Sequence, residues 1–155
     1  MVKISISDTK SKYFKTLFTH IAVQSLLDLK AVNGCINVEL LDEMLNMSAE
    51  SKTVFCDGKL AYTAFIMPTD ENESCVYIMA TTFGYSNYDI MNKSFAEIIK
   101  GLPKQTLYSI VYTGNHKYAK LLKDNNFEVV KTITHGVEQR SFYLMELKHE
   151  RQDEE

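Results

Sequence analysis

The chain has 155 residues, 45% hydrophobic and 24% charged, with a net charge of −3. One globular domain over 1–147 accounts for that length, and a domain of this size closes a core without disulfides or structural metal. The charge gives no pull toward nucleic acid or an acidic membrane. No apolar run reaches the roughly 20 residues of a membrane helix, so no membrane partner is expected.

In chain order, Val2, Ile4 and Ile6 alternate with polar residues, as in a half-buried strand. Phe14, Leu17, Phe18, Ile21, Ala22 and Leu29 recur at helical spacing, which predicts one long helix from Asp8 or Thr9 to a stop at Asn33-Gly34. A second helix is expected from about Asn37, with Leu41, Met44 and Leu45 on one face. The period then changes to two. Strands at 53–56 and 59–67 flank Asp57-Gly58, a pair suited to a type I′ turn. An acidic loop is expected over 68–74 and a strand over 75–81, its Val76-Tyr77-Ile78 core reading as buried on both faces. A helix follows at 87–100, with Ile90, Met91, Phe95 and Ile98 inward. Next come a strand at 107–112, a short helix capped by Asn115 and ending near Asp124, and strands at 127–133 and 141–147. The polar segment 148–155 is expected to fray.

The order β-α-α-β-β-β-α-β-α-β-β describes an α/β (α+β) domain. Its sheet is mixed and mainly antiparallel, with helices on both faces. Cys35, Cys56 and Cys75 fit neither a disulfide framework nor zinc-ligand pairs and read as free thiols in a reducing cytoplasm. The N-terminal strand lacks the apolar core of a signal peptide, so a soluble cytoplasmic protein is expected.

The run from Tyr112 to Phe127 carries the chemistry. Asn115 opens a helix, Asn126 can end it in the left-handed conformation, and Phe127 re-enters the core. This strand–Asn–helix–turn–Phe pattern, with the element order, resembles the GNAT (Gcn5-related N-acetyltransferase) superfamily. The resemblance implies acetyl-CoA as cofactor and an amine of a small molecule or protein as acceptor. It implies that the backbone at Ile78, Met79 and Ala80 positions the pantetheine arm, with Asn115 beside it. The loop Thr81-Thr82-Phe83-Gly84-Tyr85-Ser86 stands where the family holds the diphosphate; Gly84, Tyr85 and Ser86 are the cofactor-binding candidates there. Thr81 replaces the family's Gln or Arg, and Leu122 replaces the Tyr that often reprotonates the thiolate. Tyr118, one helical turn earlier, is the candidate acid or else a packing residue. No Glu stands on the central strands to serve as base, which leaves His20 and His135 as distant candidates. Lys117, Lys120 and Lys123 read either as phosphate contacts or as a solvated face.

A narrower likeness, Val111-Tyr112-Thr113-Gly114-Asn115 with Leu121, Leu122 and Lys123, is similar to the acetyltransferase-like internal virion proteins of short-tailed phages. Its implication is a catalytically degenerate, phage-encoded protein acting through a protein partner in virion assembly or host takeover. The location would then be the host cytoplasm or the virion. A homodimer stays open in both readings.

Overall fold

The computed structural model describes residues 2–147. Its elements are β1 (Ile4–Asp8), a 3-10 turn (Ser11–Tyr13), α1 (Phe14–Thr19), α2 (Val23–Asn33), α3 (Glu39–Met47), β2 (Glu50–Cys56), β3 (Lys59–Asp70), β4 (Glu73–Ala80), α4 (Thr82–Tyr85), α5 (Tyr88–Lys100), β5 (Thr106–Tyr112), α6 (His116–Asp124), β6 (Phe127–His135) and β7 (Arg140–Leu147). The tail expected at 148–155 lies outside the described residues.

Strand order is β1-β2-β3-β4-β5-β7-β6. Every neighbouring pair is antiparallel except β4 and β5, which are parallel. The crossover through α4 and α5 makes that parallel pair, as the strand–helix–strand order predicts. Side chains on β3 alternate between two helical layers. Tyr62 reaches Ser94 of α5 at 2.6 Å on one face, while Phe65 meets Phe14 of α1 on the other, ring centroids 6.0 Å apart. Val76, Tyr77 and Ile78 are all buried, in agreement with the central position read from their composition. Each such large side chain contributes about 1.5–3 kcal/mol by leaving water.

The local stops behave as their residue types dictate. Asp57 and Gly58 take φ of 51° and 82° in the β2–β3 turn, Asn126 takes 73° after α6, and Gly34 takes 75° after α2. Three expectations need correction. The single long helix is split, because residues 20–22 leave the helix and pair with the end of β4. Ala22 N donates to Ala80 O at 2.9 Å, Thr82 N donates to His20 O at 3.0 Å, and Ile21 bridges Thr81. The acidic loop shrinks to a turn at Glu71 and Asn72, since Pro68 is accommodated where the β3–β4 register shifts. The segment 82–85 is a helical turn rather than an open loop.

A candidate active site in the β4–β5 fork

β4 and β5 pair only from Glu73–Thr106 to Cys75–Tyr108, and beyond that register they are not paired. The fork so formed is filled from both faces by polar side chains. From α6, the Tyr118 hydroxyl donates to Val76 O at 2.9 Å. Ser109 Oγ donates to the same carbonyl at 2.7 Å, with the two hydroxyls 2.8 Å apart. Tyr118 is fully buried, and desolvation holds its pKa well above the ordinary tyrosine value. Its proton is therefore firmly held inside the core.

From the opposite face, α2 contributes Ser25 and Asp28. Ser25 Oγ accepts from Ala80 N at 3.0 Å. Asp28 Oδ1 accepts from the Tyr77 hydroxyl at 2.8 Å, and Oδ2 accepts from Asn115 Nδ2 at 3.1 Å and Tyr112 N at 3.2 Å. The Tyr85 hydroxyl donates to Asn115 Oδ1 at 3.1 Å. Asp28 is 0% exposed, and burial pushes its pKa up to about 6 against the lowering effect of Asn115, Tyr77 and Tyr112. A carboxylate held in that range inside a polar cluster is a recurring mark of functional sites.

Neither Ser25 nor Asp28 was among the residues singled out in the sequence. The signal was present: positions 25 and 28 lie on the stripe marked by Ile21 and Leu29, so α2 carries a hydroxyl and an acid on its inward face. Asn115, in turn, does not cap α6 with its side chain. Its amide is turned inward as a donor to the buried carboxylate, and Gln24 Oε1 of α2 takes over by accepting from Lys117 N at 3.0 Å.

The loop expected to hold a diphosphate is closed on itself. Thr81 Oγ1 caps the turn by accepting from Gly84 N at 3.0 Å. Tyr85 N donates to Thr81 O, Ser86 N to Thr82 O and Asn87 N to Gly84 O. Gly84 is there for close packing: a Cβ on it would lie 2.2 Å from Ala61 O. Of the expected lysines, Lys117 Nζ donates to Tyr85 O at 3.1 Å, beside the loop. Lys120 pairs with Asp124 at 2.9 Å. Ile78, Met79 and Ala80 are buried on β4. His20 and His135 are not brought together. His20 lines a cavity of about 570 Å³ with Lys59 and Phe83, whereas His135 lines one of about 230 Å³ with Tyr77.

The polar groups of the fork, a strand N–H at Ala80, hydroxyls at Ser25 and Tyr85, and the Asn115 amide, are satisfied by one another and by Asp28. In the loop, the amides of Thr82, Gly84, Tyr85 and Ser86 are committed to protein oxygens, and Lys117 is the cation beside them.

No protein-family model and no curated protein matches this sequence. Solved structures do match the fold. Ard1 from Thermoplasma volcanium superposes with a TM-score of 0.70 at 13% identity, covering 94% of this chain and 99% of that one. Spermidine N-acetyltransferase from Vibrio cholerae, in complex with CoA and spermine, gives 0.67 at 11%, covering 93% and 94%. Aminoglycoside N(6')acetyltransferase from Legionella pneumophila gives 0.68 at 12%, covering 93% and 91%. At such identities the likeness speaks for architecture alone, and it agrees with the mixed, mainly antiparallel sheet and its helices: the chain has the GNAT acetyltransferase fold.

Proposed function

We propose that the chain is an acyl-CoA-dependent N-acyltransferase, moving an acetyl group from acetyl-CoA to an amine of a small molecule or protein. The convergence of Ser25, Asp28, Tyr77, Tyr85 and Asn115 in the fork carries this reading. Apolar side chains would fill such a gap at less desolvation cost, and a buried carboxylate is expensive where it has no task. Ala80, Ser25, Tyr85 and Asn115 would hold the arm of the cofactor, with Lys117, and the loop at Gly84 and Ser86, nearest its diphosphate. Ile78 and Met79 would shape the strand beneath. Acetyl-CoA supplies an activated acyl group as thioester. Tyr118 enters as a positioning residue that fixes the Val76 carbonyl, since its buried hydroxyl is committed there. Access to the fork requires Ala22 and Ser25 to release Ala80.

A second reading is favoured by one observation, the internal satisfaction of the amides of Thr82, Gly84, Tyr85 and Ser86. In it the chain is a catalytically degenerate GNAT-fold protein that works through a protein partner. The narrower phage-protein likeness belongs to this reading alone. Calorimetric titration with acetyl-CoA separates the two. Low-micromolar binding, weakened by Asn115→Ala, is the expected result. Neither heat nor a thermal shift at millimolar ligand would sink the transferase reading in favour of the second.

A further inference from the structure

The cavity of about 230 Å³ lies between α2, α3 and the end of β6, against the same stretch of β4 that faces the fork. Its walls are mostly apolar, from Leu29, Val32, Met44, Met47, Met67 and Ile110, while Asn33, Cys75, Tyr77 and His135 bring the polar atoms. Thioethers adapt their shape to a ligand at low energetic cost. The volume falls below the roughly 300–1,000 Å³ of sites for drug-sized ligands, so the occupant is small. Among the described residues no Asp, Glu, Lys or Arg lines it. A ligand carboxylate would have no fixed counter-charge there, only the imidazole of His135, and would face the Asp28 carboxylate one hydrogen bond behind Tyr77, which is unfavourable. The opposite sign is provided for at one point. Tyr77 belongs both to the cavity wall and to the Asp28 cluster, where its hydroxyl donates to the buried carboxylate at 2.8 Å.

We infer that this cavity takes the acceptor, a small apolar primary amine carrying one amino group on an aliphatic or aromatic body. The inference rests on the transferase reading for the amine's role as acceptor, while the binding itself needs only the cavity. Tyr77 and Asp28 form the proton path. As the ammonium N–H bond breaks, the Tyr77 oxygen gains that proton and its original proton moves to Asp28 Oδ1. A neutral amine and a neutral carboxyl result. One carboxylate behind one wall residue serves one amino group. Polyamines bring further charges for which the lining has no partner, and aminoglycosides exceed the volume.

The test uses the full chain labelled at its methionine methyl groups, without acyl-CoA. Hexylamine and phenethylamine are expected to move the Met44, Met47 and Met67 signals, with hexanoate and spermidine at least about tenfold weaker. Met47 is 59% exposed, so Met47→Trp can cover the mouth without disturbing the core, and about a tenfold loss of amine affinity is expected. Asp28→Asn should reduce the preference for hexylamine over hexanol. Hexanoate or spermidine binding as tightly as hexylamine would overturn the assignment. So would an amine titration that Met47→Trp leaves unchanged, or no methyl response to either amine at millimolar concentration. Calorimetry with acetyl-CoA on the same samples keeps the two ideas apart. Amine binding without CoA binding removes the transferase reading and leaves the cavity assigned; CoA binding without amine binding removes the cavity assignment alone.

Discussion

Burial raises the Asp28 pKa to about 6 in the folded protein, against an ordinary value of 3.8. Between those values the folded state binds a proton that the unfolded state has lost. The group therefore destabilises the fold above pH 6, and its penalty fades as pH falls toward 4. A shift of this size amounts to about 3 kcal/mol. The surface acids Asp8, Asp124 and Glu138 are shifted down by their lysines and act in the opposite sense, so the Asp28 contribution has to be read as a difference. Asp28→Asn is expected to melt higher than the parent at pH 7 and to converge with it near pH 4. Its amide can keep Oδ1 toward Asn115 and Tyr112 while Nδ2 donates to the Tyr77 oxygen. Melting curves that stay parallel from pH 4 to 7 would mean that no charge is buried there.

At the scale of elements, the seating of α4 on β3 depends on Gly84. Gly84→Ala drives a methyl into Ala61 O, and the turn must lift, at a cost of about 1–3 kcal/mol seen as a lower melting temperature. An unchanged melting temperature would show that the turn is free to move. Elements with a clear local pattern, such as the helical period of α5 and the apolar run of β3 after its Asp57-Gly58 turn, were legible in the sequence. So were the stops at Gly34, Asp57-Gly58 and Asn126, where backbone conformation selects the residue. The break between α1 and α2 was not legible. It depends on Ala22 N donating to Ala80 O and His20 O accepting from Thr82 N, partners some sixty residues away that nothing in the local spacing reports. Asn115 misled for a related reason. Its type and position suit a cap, yet a buried carboxylate elsewhere in the chain is a stronger claim on its amide. Asp28 itself was visible as an acid on an apolar stripe, but only an expectation of where α2 packs could have given it meaning.

At the scale of the whole molecule, protection from solvent is uneven across the sheet. Leu60 to Ile66 of β3 are buried without interruption, whereas Glu128 to Thr132 of the outer strand β6 are exposed on both faces. Amide hydrogen exchange should be slowest along Ala61–Ile66 and faster by about two orders of magnitude over the exposed stretch of β6. Equal protection in the two strands would contradict this gradient.

The brevity of the β4–β5 pairing has a mechanical meaning. Four strands on one side and three on the other are riveted together by three residue pairs, and past those rivets by side chains of α2 and α6. Compliance is thus concentrated along a single line. A wedge driven into it from the Ala80 end would swing the β5–β7–β6 plate as a unit rather than deform either plate, so occupancy of the fork would be felt as far away as the outer face of β6.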